Sequence, residues 1–214
     1  MLDTFSHIFS TLRADYEVKD VITDQTTFLF ILESPHVQEL KYKVPVAGSS
    51  GASISKHLFG EEYVKPLGRL VKYNLDYERN HPSLNKIGLM NVCNIPMQKI
   101  AYQNATLKAE YETFFDALEG IRSNNQTIHY RQASWNVMQQ LVLNHFRERL
   151  EPLKSKTIVI VPCGRFAQKF FHLTECKSAT WTVIENVPHP SYNSWSRPKY
   201  EEVIKKVKNT FRHC

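Results

Sequence analysis

The run Thr157-Ile158-Val159-Ile160-Val161 constrains the fold of this chain more than any other segment. Its residues are β-branched throughout, with no polar alternation, so a strand built from them hides both of its faces. Strands of that kind belong to parallel sheets covered by helices on either side. The following Pro162-Cys163-Gly164 turns the chain into a helix bearing Phe166, Phe170 and Phe171. Three further apolar runs predict strands over Phe28–Leu32, Lys86–Asn91 (continuing into Val92-Cys93-Asn94) and Trp181–Glu185. Leu2, Phe5, Ile8, Phe9 and Leu12 recur at helical spacing. Short helices are predicted over Ala52–Phe59 and Pro66–Tyr73. Leu107, Tyr111, Phe114, Phe115 and Leu118 share a helical face closed by Gly120. Ser134 is placed to cap a helix with Trp135, Met138, Leu141, Val142, His145 and Phe146 on its buried side. The last helix runs from about Pro198 to Phe211. Strands alternating with helices make a three-layer α/β/α fold on a mostly parallel four-stranded central sheet, a single domain over residues 1–214.

Composition narrows the setting. Hydrophobic residues make up 42% and charged residues 22%, proportions that suit a soluble globular core. No apolar run approaches the roughly 18 residues of a membrane span. The start, Met1-Leu2-Asp3-Thr4-Phe5, lacks the basic and apolar regions of a secretory signal, so a cytoplasmic protein without a membrane partner is expected. A formal charge of +6 tilts the partner towards a polyanion. Cys93, Cys163, Cys176 and Cys214 form no C-x-x-C pair, and the nine histidines show no ligand spacing. No metal and no cofactor is therefore expected, and a monomer is the working expectation.

Loops leaving the carboxyl ends of strands meet at the ligand crevice of an open α/β sheet. Glu33 directly follows the first strand, where a carboxylate can orient water or stabilise positive charge; a cap or salt bridge is the alternative. Asn91 ends the second strand and offers the amide donors and acceptor that read a heterocycle, or else serves a turn. His189 stands between two prolines in Val187-Pro188-His189-Pro190-Ser191-Tyr192, a stiffened loop that either positions the imidazole or is simply rigid. His81-Pro82-Ser83 repeats the tripeptide but precedes a strand, at the opposite edge, and is incidental. His145, beside an apolar stripe, is a structural histidine. Ser34, Ser191 and Cys163 could approach His189 as nucleophiles, but no strained G-x-S-x-G elbow accompanies them.

Four segments carry a family resemblance: Phe30-Ile31-Leu32-Glu33-Ser34-Pro35-His36, Pro45-Val46-Ala47-Gly48, Leu89-Met90-Asn91-Val92 and Pro188-His189-Pro190-Ser191. In this order and strand context the chain resembles the uracil-DNA glycosylase superfamily. A weaker echo is Ile158-Val159-Ile160-Val161-Pro162-Cys163-Gly164. The resemblance implies a four-stranded parallel sheet between helices and hydrolysis of an N-glycosidic bond in DNA. It makes Glu33 the residue serving the hydrolytic water, as in the thermophilic-type branch, and His189 the residue stabilising the leaving base. Asn91 would bond the flipped base, with Ser34, Pro35 and Val46 lining its pocket. Ser191 and Tyr192 would lie on the loop entering the minor groove, and Lys56, Arg197 and Lys199 are candidate contacts to the DNA backbone. The chain departs from the family pattern in three places. Leu32 replaces the customary glycine, Val46 stands near where many members stack an aromatic on uracil, and the cysteines do not reproduce the thermophilic-type cluster ligands. Tyr42 and Phe59 are nearby aromatics that could stack instead, and Glu39 is a backup acid whose expected role is an exposed loop carboxylate. A glycosylase for a modified base, or a nucleic-acid-binding member without catalysis, are the alternatives these departures leave open.

Overall fold

Side chains of a strand point alternately to its two faces, and in this chain both sets are apolar. The computed structural model describes residues 1–214. In it, strands β1 (Phe28–Leu32), β2 (Ile87–Asn91), β3 (Ile158–Pro162) and β4 (Trp181–Val183) form one sheet in the order β2-β1-β3-β4. Every pairing is parallel. Leu29, Ile31, Met90, Ile158 and Ile160 join one core cluster, while Phe28, Phe30, Leu32, Leu89, Val159 and Val161 join another on the opposite face.

The first face is covered by α1 (Leu2–Tyr16), by α7 (Glu112–Ser123), by α8 (Ala133–Leu150) and by α9 (Arg165–Thr174). The second is covered by α3 (Ser49–Phe59), α4 (Leu67–Asp76) and α10 (Glu201–His213). Along α10, Ile204, Val207 and Phe211 are buried, and its lysines lie on the opposite side, as the spacing predicts. The shorter α2 (Val37–Tyr42), α5 (Pro82–Asn85) and α6 (Ala105–Glu110) complete the helices.

Four local expectations are corrected. Gly120 does not close a helix; it lies inside α7, which continues to Ser123, and its missing side chain makes room for Trp135, whose ring a Cβ would approach to 2.2 Å. The helical face from Leu107 to Leu118 is split at Tyr111, whose ψ of 31° breaks the run into α6 and α7. Ser134 is inside the first turn of α8 rather than its cap, which is Gln132. The β4 strand is also shorter than its apolar run, ending at Val183.

The chain runs from β1 outward to β2, then crosses back beyond β1 to β3. That reversal opens a crevice above the carboxyl ends of β1 and β3, the switch point where α/β sheets bind ligands. No helix is long and apolar enough to cross a membrane. Cys93, Cys163 and Cys176 are buried and Cys214 is exposed, all as free thiols.

Candidate active site

A cleft of about 440 Å³ opens at the switch point, in the size range of small-molecule sites. Three of the four strand ends contribute to it through the loops that leave them. β1 supplies Glu33, Ser34 and Pro35; the loop before α3 supplies Val46; β2 supplies Asn91; and the loop after β4 supplies His189, Ser191 and Tyr192. All eight residues assigned to catalysis or base binding thus line one cavity. Glu33 and Asn91 are neighbours because the parallel pairing runs past the strands, with Val92 N–H donating to Leu32 O and Cys93 N–H to Glu33 O, both at 3.0 Å. Arg149 pins the end of β2 from α8. It pairs with Asp20 and donates from Nη2 to the carbonyls of Asn91 and Val92.

Glu33 is half-buried and bonded to Arg122 of α7, Nε to Oε1, at 2.5 Å. Burial raises its carboxyl above the ordinary range, and the Arg122 charge and hydrogen bond offset only part of that rise. Salt-bridge and cleft roles therefore coincide at Glu33. Gln98, its amide oriented by its neighbours, accepts from Arg122 Nη1 at 2.9 Å and from Nη2 at 3.0 Å.

His189 is held from every side. Gly164 N–H and Gln168 Nε2 donate to Val187 O, at 2.9 and 2.7 Å, while Trp195 Nε1 donates to Pro188 O at 2.8 Å. Ser194 Oγ donates to the carbonyl of His189 itself. On the ring, Nδ1 lies 2.8 Å from Ser191 Oγ and accepts from Ser191 N–H at 3.3 Å. A backbone N–H can only donate, so Nδ1 is the bare nitrogen and the proton of the neutral ring resides on Nε2. Burial, with Arg122 nearby, lowers the imidazole to about 4, which keeps it neutral near pH 7. His189 is a neutral ring with one N–H to donate. No carboxylate bonds Nε2, so the Ser191–His189 contact has no third group of a triad behind it.

Glu39 was expected as an exposed loop carboxylate, and this is corrected. It is half-buried at the floor of the cleft, accepting from Val46 N–H at 2.7 Å, His36 N–H at 3.0 Å and Asn91 Nδ2 at 3.3 Å. Burial raises its carboxyl to about 7 against the pull of these three bonds. The stacking candidates are also corrected. Tyr42 sits under Arg69 in a separate surface groove, and Phe59 packs on Tyr63 and Phe211. Both rings serve packing on the far side of α2 and α3. Within the cleft the only aromatic carbocycle is that of Tyr192, which is 89% exposed.

The backbone-contact candidates divide. Arg197 lines a groove of about 470 Å³ running from Glu33 past Gly164, and its Nη2 donates to Tyr192 O. Lys56 lines a second flanking groove but is paired with Glu61 at 2.7 Å. Lys199 lies against the Tyr200 ring and lines neither groove. Sequence reasoning missed Arg122, Gln98 and the Gly164–Gln168–Trp195 clamp. For Glu39 a signal existed: it stands three residues after His36, the spacing at which a glutamate turns back to a helix cap, but without the usual serine or threonine.

No group of three or more His, Cys, Asp or Glu side chains is placed to share a metal ion. Comparison with protein-family models gives no match, and comparison with curated proteins gives none either.

Proposed function

We propose that this protein is a monofunctional DNA glycosylase of the uracil-DNA glycosylase type, releasing uracil or a related base and leaving an abasic site. The observation that carries this reading is the convergence of Glu33, Asn91 and His189, delivered from three strand ends, on one cleft at the switch point of the sheet.

Breaking an N-glycosidic bond leaves a cationic sugar and an anionic base. Glu33, kept available as a carboxylate by Arg122, suits the cation and a water molecule. His189 suits the anion, because a neutral Nε2–H donates most strongly once negative charge has developed on the base. Asn91 suits the base edge. A base inside a duplex must first be extruded, at a cost of a few kcal/mol. Tyr192 suits that step, standing exposed at the meeting point of the cleft and both flanking grooves. Arg197 and Lys56 in those grooves suit phosphates on either side, so binding would weaken with salt. Lys199 is a poorer candidate for the same role.

A modified base is the second reading. It is favoured by Val46, which leaves the 45–48 loop without a ring to close over a pyrimidine, and by a cleft roomy enough for a substituent.

The test is single-turnover incubation with single- and double-stranded oligonucleotides carrying uracil, hypoxanthine, xanthine or hydroxymethylated and glucosylated cytosine, followed by alkaline cleavage. Release that is lost in Glu33→Ala and His189→Ala is the expected result. DNA binding without release of any base by the native protein would overturn the catalytic reading in favour of a binding module.

A further inference from the structure

Glu39 is the one side chain that touches three separate pieces of the cleft. Oε1 accepts from the backbone of Val46 and from the Asn91 amide nitrogen, and Oε2 accepts from the backbone of His36. The arrangement is not a relaxed one. Val46 is β-branched yet sits at φ 58°, a left-handed conformation that costs such a residue on the order of 1–3 kcal/mol. Its loop is trapped there by backbone contact. A Cβ on Gly51 would lie 1.9 Å from Val46 O, and one on Gly68 would lie 1.9 Å from Pro45 O. So the strained turn presents its N–H to Glu39 because two glycines let α3 and α4 close over it.

Asn91 is wholly buried, with 0% exposure, and its Oδ1 has no partner within the protein. A buried amide oxygen left unpaired costs about 1–3 kcal/mol, and Asn91 lines the cleft. Its nitrogen is engaged and its oxygen is not. We propose that Glu39 is a positioning residue that fixes the Asn91 amide, drawing the nitrogen to its carboxylate and leaving Oδ1 to accept an N–H from the base. This deepens the glycosylase reading and rests on it for the identity of the ligand, but the Glu39–Asn91 coupling is testable without turnover.

A glutamine at 39 keeps one acceptor oxygen for Val46 N–H and Asn91 Nδ2; its amide nitrogen, a donor, gives up only the bond from His36 N–H, at an exposed residue where water can accept instead. A methionine keeps the volume and removes the acceptor. The experiment compares Glu39→Gln and Glu39→Met with the native protein in two measurements. The first is the ¹H–¹⁵N signal of the Asn91 side-chain amide, assigned by its loss in Asn91→Ala, with the Trp195 indole signal reporting an intact His189 loop. The second is single-turnover base release, with the rate constant resolved from the affinity for the same oligonucleotide.

The expected result is an Asn91 amide signal close to native in Glu39→Gln and shifted in Glu39→Met, with the Trp195 signal unchanged in both. The release rate falls about tenfold to hundredfold in Glu39→Met, the loss of one oriented hydrogen bond and the pairing it guides, and recovers to within a few-fold in Glu39→Gln, while DNA affinity holds. An unshifted Asn91 signal in Glu39→Met overturns the proposal. So does equal impairment of both variants, which would mean that the charge rather than the acceptor matters. Absence of turnover in the native protein, with the Asn91 signal behaving as expected, would defeat the glycosylase reading and leave the coupling standing.

Discussion

Gly164 is where a single methyl group should separate folding from site geometry. Its backbone, at φ 89° and ψ 162°, lies in a region essentially reserved for glycine. An alanine there costs on the order of 1–3 kcal/mol before any contact is counted. The added Cβ would also stand 2.8 Å from His189 Cβ and 3.4 Å from its Cα and N. Carbon atoms prefer about 3.5–4.0 Å, so His189 must retreat by roughly 0.7–1.2 Å at its Cβ. That retreat pulls against the bonds holding Val187 and Pro188 to Gly164, Gln168 and Trp195. At 214 residues each kcal/mol lowers the melting temperature by about 2–4 °C, so Gly164→Ala should melt about 4–8 °C lower for a loss near 2 kcal/mol. A displacement of about 1 Å at a reacting group costs on the order of a hundredfold in rate. Single-turnover base release should fall by about that factor while DNA affinity changes little. Gly48→Ala is the thermal control, since Gly48 has φ −105° and its added Cβ would meet only Gln38, at 3.6 Å; it should melt within about 1–2 °C of native, the spread of a strain-free surface change. A folded Gly164→Ala protein with native melting temperature and native release rate would refute the argument that Gly164 sets the position of His189.

Four further outcomes follow from the same geometry. Arg122→Met removes the cation that offsets the effect of burial on the Glu33 carboxyl, so the acid limb of the pH–rate profile should move up, and an unmoved limb would detach Glu33 from catalysis. His145, lowered to about 4 by burial, binds a proton unfolded but not folded between about 4 and 6.5. Native stability relative to His145→Gln should therefore rise by up to about 3 kcal/mol across that window, read from urea midpoints. Glu39, raised to about 7, has the opposite sign: native stability relative to Glu39→Gln should decline as pH climbs from about 4.5 through 7. Finally, Gly51→Ala and Gly68→Ala drive a methyl into backbone carbonyls and should each destabilise by more than about 3 kcal/mol, beyond ordinary overpacking, as measured by chemical denaturation.

The strands were legible because their signal is local. Unbroken apolar residues at 28–32 and β-branched residues at 157–161 leave few alternatives, and a parallel sheet places the ends of such strands on one edge. Glu33, Asn91 and His189 could be named from sequence for that reason: each lies at or just beyond a strand's carboxyl end, and the sheet does the gathering. Where the local signal was ambiguous, the reading slipped. Gly120 looks like a helix stop, yet its small size answers to Trp135 on another helix. Tyr42 and Phe59 lie close in sequence to the Val46 loop, but α2 and α3 turn their rings away from it.

Sequence by itself determined the layers, the strand directions and the edge on which chemistry could gather, because hydrophobic periodicity and turn residues act over a few positions. Tertiary structure alone decided that Arg122 pairs with Glu33, that Glu39 gathers Val46, His36 and Asn91, and that Gly164 makes room for His189. These are contacts between side chains and loops brought together only when helices close on the sheet. Their partners are set by distance and burial in three dimensions, which spacing along the chain does not encode.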